Sequence, residues 1–136
     1  MRSARLRLAV ALGGVGVAAC AVISRSPADV HGAQLGEAPA SAHARRSPLA
    51  AGPEAAAAGA KLFARDCAHC HGSDRRGAGR APALDPAALS DVPEGDIFWF
   101  LTNGNLRAGM PSWSRLPAAQ RWQLVAYLRS GTGLPR

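Results

Sequence analysis

The sequence has few aromatic residues, the largest side chains from which a hydrophobic core is built. It contains three Trp, three Phe and a single Tyr among 136 residues, and it shows neither an internal repeat nor the apolar–polar alternation of strands. A chain of this length has room for one small domain and accessory segments. Below about 70–80 residues a core usually needs a staple such as a metal or a covalent group. The composition therefore favours one small helical domain with such a staple.

Lysine is almost absent, although the chain is basic. Fifteen of the sixteen basic residues are Arg, and the formal net charge is +7. Alanine is abundant as well, so the arginine content resembles a coding bias. No basic run is interleaved with aromatic residues, as a nucleic-acid-binding face would be. We therefore do not expect a nucleic-acid partner.

Cysteine is also scarce, but two of the three cysteines lie close together, in Cys67-Ala68-His69-Cys70-His71. C-x-x-C-H is the attachment signature of c-type haem. Each thiol adds across one vinyl group, and the two-residue spacer lets a tight turn direct both sulfurs to one porphyrin edge. The sequence therefore predicts thioethers at Cys67 and Cys70, with His71 as an axial ligand of the iron.

Two other uses of the cysteine pair are a zinc half-site and a redox dithiol. Zinc usually takes four ligands from two such pairs, but the chain has no second pair, and His31 and His43 lie in a predicted linker. A thioredoxin-like motif is expected near a βαβ pattern, which the sequence lacks. Both alternatives are weaker than haem attachment.

Residues 1–23 have the pattern of an export segment. Arg2, Arg5 and Arg7 precede an uncharged, largely apolar stretch of sixteen residues, Leu8 to Ile23. This stretch is slightly shorter than the ~20 residues of a spanning helix, so it predicts either a signal peptide or a short membrane anchor. In both cases the rest of the chain is exported, to the side where bacteria attach c-type haem.

The third cysteine closes this segment in Val17-Ala18-Ala19-Cys20, which resembles a bacterial lipobox. Lipidation of Cys20 would explain an odd cysteine in an oxidising compartment. The alternatives are an uncleaved anchor, which the apolar residues after Cys20 also fit, and cleavage with release into the periplasm. The first two predict a protein tethered to the periplasmic face of the cytoplasmic membrane.

The remaining chain divides at residue 53. Residues 24–52 are rich in Ala, Ser, Pro and Gly without an apolar period, which predicts a flexible linker with solvated histidines. Residues 53–136 carry apolar helical patterns, which predict helices from residue 53 to about 68, near 85–92, from 93 to about 102 and from about 117 to 130.

Two loop residues have the chemistry to complete a haem site. Met110 is the only methionine besides the initiator and lies between predicted helices. Its thioether is suited to the sixth coordination site, where it would favour ferrous iron. The Pro82 carbonyl is suited to accept the Nδ1 proton of His71 and fix the imidazole; otherwise Pro82 is an ordinary loop proline.

With these residues in order, the chain over about residues 53–131 resembles a class I cytochrome c of the bacterial single-haem type. The resemblance rests on Gly59, Phe63 and the haem motif, on Pro82 with Leu84, on Asn103-Gly104 leading to Gly109-Met110-Pro111-Ser112-Trp113, and on Leu124 to Leu128. It departs from the family at Pro117, where a hydroxyl cap is common.

The resemblance implies an all-α fold of three to five helices wrapped around one covalently bound haem. It implies that Gly59 packs against Tyr127, that Pro82 meets His71, that Met110 is the sixth ligand, and that Leu84 and Trp113 belong to the haem environment. It also implies a monomeric one-electron carrier between redox proteins.

Three other functions stay open from the sequence. They are a fixed haem subunit of a larger oxidoreductase, a haem peroxidase or sensor with a labile sixth ligand, and a non-haem lipoprotein. Arg75, Arg76, Arg80 and Arg107 flank the haem motif or Met110. We expect some of them either to ring the exposed haem edge and steer an acidic partner or to be solvated loop charges.

Overall fold

The computed structural model describes residues 36–49 and 52–131, so the predicted export segment, Cys20 and His31 lie outside the described residues. The described part is helical and has no strand, only isolated bridges. Its elements are α1 (Ala40–His43), α2 (Pro53–Asp66), α3 (Ala68–His71), α4 (Pro86–Ser90), α5 (Glu94–Asn103), a 3-10 turn (Leu106–Ala108) and α6 (Ala118–Arg129). The predicted all-α fold is confirmed.

Helices α2 and α6 cross at a glycine. A Cβ atom on Gly59 would lie 2.0 Å from the Gln123 carbonyl oxygen and 2.7 Å from the Tyr127 Cβ. Only a residue without a side chain allows two helix backbones to approach this closely. One turn further on, the rings of Phe63 and Tyr127 lie 5.3 Å apart in a tilted arrangement. The predicted contact of Gly59 with Tyr127 is therefore present.

The hydrophobic core joins α2, α5 and α6. Its largest fully buried side chains are Tyr127, Phe63, Leu124 and Val125. Helix α5 contributes Ile97 and Leu101 to the same cluster, and Trp113 joins it from the loop before α6. Helix α5 itself begins after Pro93, with Glu94 and Asp96 in its first turn, where acidic side chains favour the positive end of the helix dipole.

Part of the predicted linker is packed on α5. A Cβ atom on Gly95 would lie 2.0 Å from the Ala42 carbonyl oxygen, and the Ser47 amide donates to Glu94 Oε1 at 2.8 Å. The guanidinium of Arg45 lies 4.5 Å from the centre of the Phe98 ring. We call residues 36–49 the N-terminal strap. The described fold therefore begins before residue 53. The sequence did not predict this packing, because its contacts use backbone carbonyls and a ring face and leave no apolar period.

His43, predicted to be a solvated linker side chain, is 62% exposed and also contacts α5. Its Nδ1 lies 3.1 Å from Oδ2 of Asp96, whose side chain is buried in the first turn of α5. The imidazole is thus the partner of a buried carboxylate. Among the described residues, none of the helices combines the length and the apolar character needed to cross a bilayer.

Candidate haem site

The haem motif forms one tight turn at the end of α2. The Cys67 amide donates to the Phe63 carbonyl at 2.9 Å, and the amides of Cys70 and His71 both donate to the Cys67 carbonyl, at 3.1 and 3.0 Å. Gly72 ends the turn with φ +78°, a conformation that favours glycine. The motif thus folds as its spacing predicts, into a single turn that carries both thiols.

A loop after this turn returns to the imidazole of His71. His71 Nδ1 lies 3.0 Å from the Pro82 carbonyl oxygen. A carbonyl can only accept, so Nδ1 carries the proton and Nε2 keeps its lone pair. The predicted hydrogen bond is therefore present, and it selects the tautomer that an Nε2 iron ligand requires.

The same loop is closely packed against itself. The Gly77 amide donates to the His71 carbonyl at 2.8 Å. Gly77 has φ +84°, and a Cβ atom there would lie 2.6 Å from the Ala81 carbonyl oxygen. The approach of Pro82 to His71 thus depends on a glycine at this position.

Met110 lies at the end of a second short loop. Asn105 and Met110 exchange two backbone hydrogen bonds of 2.9 Å, and Asn105 Oδ1 accepts from the Ala108 amide at 3.1 Å. Gly104 has φ +67°, and a Cβ atom there would lie 2.5 Å from the Pro111 carbonyl oxygen. These bonds close the loop on itself just after the end of α5, and Met110 is half-buried.

One cavity of about 670 Å³ brings the predicted residues together. Its volume lies within the roughly 300–1,000 Å³ of small-molecule and cofactor sites. Its walls are mainly apolar and include Phe63, Ile97 and Leu124. All seven haem-site residues predicted within the described range line it: Cys67, Cys70, His71, Pro82, Leu84, Met110 and Trp113.

This donor set fits a haem. Two thiols on one turn match the two vinyl groups, an imidazole nitrogen and a thioether sulfur are both haem-iron ligands, and the apolar walls match a porphyrin. The sequence did not assign Leu89 and Leu128 to the haem environment, although both line the cavity. Their only signal was their place in the apolar pattern of α4 and α6.

The thiol chemistry differs from that of a redox dithiol. Burial raises the pKa of the Cys67 thiol to about 12, and Asp66 and Cys70 add to the rise. A redox thiol needs a lowered pKa, because the thiolate is the nucleophile and the metal ligand. Within the described ranges, no group of three or more His, Cys, Asp or Glu side chains is placed to hold a metal ion.

The four arginines near the site occupy different environments. Arg80 lines the cavity and is exposed, and Arg107 is exposed on the 3-10 turn. Arg76 is exposed and lies 3.6 Å from the Asp74 carboxylate. Arg75 is only 7% exposed, so it is neither one of the arginines that ring the exposed edge nor a solvated loop charge. Its side chain turns instead towards the C-terminal end of α6.

A small helical domain with a C-x-x-C-H turn, a carbonyl-bound histidine and a methionine loop around one apolar cavity is a cytochrome c domain. Residues 54–128, more than half of the chain, match the family model described as Cytochrome C oxidase, cbb3-type, subunit III. The chain belongs to this family. It accordingly carries a covalently bound c-type haem and serves haem-based electron transfer. No curated protein matches the chain.

Proposed function

We propose that the protein is a one-electron carrier whose haem is held by thioethers at Cys67 and Cys70 and ligated by His71 and Met110. The observation that carries the proposal is the single cavity that all four residues line. When bound, the haem supplies the reversible ferrous–ferric couple, and the protein supplies its ligands, burial and orientation.

The residues of the cavity divide this work. The Pro82 carbonyl, 3.0 Å from His71 Nδ1, holds the imidazole in one tautomer and raises its basicity. The Met110 thioether favours the ferrous state and raises the potential. Apolar side chains such as Ile97 and Leu124 keep water from the cavity walls. With both axial positions closed by protein ligands, a substrate has no site to occupy.

Electrons would enter and leave where the cavity meets solvent. The exposed residues of its lining include Cys70, Arg80, Ala108 and Gly109. Arg80, and Arg107 on the adjoining turn, give this rim a positive character suited to an acidic redox partner. Arg80→Gln should weaken the ionic-strength dependence of electron transfer, whereas Arg46→Gln, an exposed site outside the cavity lining, should not.

Protein-film voltammetry with a peroxide assay tests the carrier function. We expect one reversible one-electron wave that carbon monoxide does not alter, and no peroxide turnover. A catalytic current with peroxide, or rapid carbon monoxide binding, would favour the peroxidase or sensor function instead. Such a result would mean that the sixth position opens.

The family description favours a second function, that of a fixed haem subunit of a terminal oxidase. Mild solubilisation of native membranes, followed by size-exclusion chromatography, separates the two functions. A mobile carrier should elute as a small haem protein, and a fixed subunit should coelute with oxidase activity.

We further propose export to the periplasmic face of the cytoplasmic membrane, with donor and acceptor redox proteins as partners. The support is the basic and apolar pattern of residues 1–23, together with the extracytoplasmic attachment of c-type haem. Mass spectrometry of the mature N-terminus distinguishes lipidation at Cys20, an uncleaved anchor and release by cleavage.

A further inference from the structure

We propose that Arg75 is a positioning residue for His71, tying the loop that carries the Pro82 carbonyl to the end of α6. The inference rests on the proposed function in one respect, the role of His71 as an iron ligand. The contacts that carry it are independent of that role.

The backbone of Arg75 is held in an unfavourable conformation. Its φ is +63°, and it is the one non-glycine residue with positive φ in the described part of the chain. Bulky L residues seldom adopt this region. Such a conformation persists only where the surrounding contacts over-determine it.

The side chain supplies those contacts on α6. Arg75 Nη1 lies 3.3 Å from the carbonyl oxygens of both Tyr127 and Ser130. The guanidinium lies 4.7 Å from the centre of the Tyr127 ring. A helix C-terminus exposes carbonyl groups and carries partial negative charge, so a buried guanidinium stabilises this end of α6.

The main chain of Arg75 holds the other end of the loop. Its carbonyl accepts a hydrogen bond of 2.8 Å from the amide of Leu84, two residues after Pro82. The side chain of Arg75 thus binds the end of α6, while its carbonyl binds the segment that places the Pro82 oxygen next to His71. Without the guanidinium, the loop keeps its local turns but loses its attachment to the helix.

The consequence is specific to the imidazole. If the loop moves, the Pro82 carbonyl leaves its position 3.0 Å from His71 Nδ1. The Nδ1 proton is then exposed to exchange with water. Loss of this bond would also lower the basicity of the ring.

Hydrogen exchange by NMR on the reduced, haem-loaded, full-length protein tests this role. In Arg75→Gln we expect the Leu84 amide to exchange about tenfold faster, the factor that corresponds to roughly one lost hydrogen bond. We expect the His71 Nδ1 proton to exchange faster as well. The Leu124 amide, in the core of α6, should keep its rate. Arg76→Gln, at the exposed neighbouring site, should change none of the three rates.

Arg75→Lys keeps the charge and should give intermediate exchange rates, which amounts to partial rescue. Faster exchange at Leu84 with an unchanged His71 proton would overturn the positioning role, as would no change at either group. Equal acceleration at Leu124 would assign Arg75 to general stability. Arg75 would likewise be assigned to general stability if both Arg75 variants failed to mature while Arg76→Gln matured. Failure of the proposed function appears separately, as a wild-type haem spectrum without methionine ligation.

Discussion

The crossing of α2 and α6 yields the sharpest prediction about stability, the effect of Gly59→Ala. The added methyl group would lie 2.0 Å from the Gln123 carbonyl oxygen, whereas ordinary contacts begin at 3.4 Å. This oxygen belongs to the backbone of Gln123, so it cannot move away as the end of a flexible side chain can. The two helices must therefore separate by more than 1 Å.

The expected change in stability combines one stabilising and two destabilising contributions. Alanine gains about 1 kcal/mol of helix propensity over glycine. Overpacking costs typically 1–3 kcal/mol, occasionally more, and separation of the helices weakens the Phe63–Tyr127 ring contact, worth about 0.5–1.5 kcal/mol. We expect a net loss of about 2 kcal/mol, which lowers Tm by roughly 10–15 °C in a domain of this size.

Thermal unfolding of the haem-loaded protein, followed by far-ultraviolet circular dichroism, measures this loss. Ala57→Gly is the matched control, because Ala57 is exposed on the same helix and its replacement reports the propensity contribution alone, about 1 kcal/mol. A Gly59→Ala protein as stable as the wild type would refute the close crossing of the two helices.

Three further predictions concern the strap and the core. Gly95→Ala places a methyl group 2.0 Å from the Ala42 carbonyl oxygen, so trypsin should cleave the strap at Arg45 faster; an unchanged rate would contradict the packing. Tyr127→Phe removes a buried hydroxyl without a hydrogen-bond partner among the described residues, so unfolding in denaturant should show equal stability or a gain of up to about 1 kcal/mol; a clear loss would mean the hydroxyl is bonded. Burial raises the pKa of Tyr127, so the unfolded state loses the proton first and stability should fall as the pH rises above about 10; Tyr127→Phe should lack this contribution, and equal alkaline losses in both proteins would contradict it.

The haem motif could be read from the sequence because its geometry is local. Cys67, Cys70 and His71 lie within one turn, and the amides of Cys70 and His71 donate to a carbonyl inside the motif. The same holds for the Met110 loop, where Asn105 supplies both the backbone pairing and the cap. Residue chemistry and short spacing were therefore enough to predict the two cysteines, the histidine and the methionine that line the cavity.

Arg75 could not be placed in this way. In the sequence it is one of several arginines in a glycine-rich loop, a pattern typical of a solvated surface. Its burial depends on carbonyls of Tyr127 and Ser130, more than fifty residues later. The strap was missed for a related reason, because the Ala42 carbonyl and the Arg45 guanidinium contact α5 without contributing to a hydrophobic period.

The visible spectrum of the exported protein, oxidised and reduced, with and without carbon monoxide, tests the central claim most directly. We predict a c-type haem spectrum, the weak long-wavelength band of ferric iron bound by methionine sulfur, and no shift with carbon monoxide. Met110→Ala should lose that band and bind carbon monoxide, while keeping the covalent haem. A wild-type spectrum without the band, with a prompt carbon monoxide shift, would contradict ligation by Met110 and with it the carrier function.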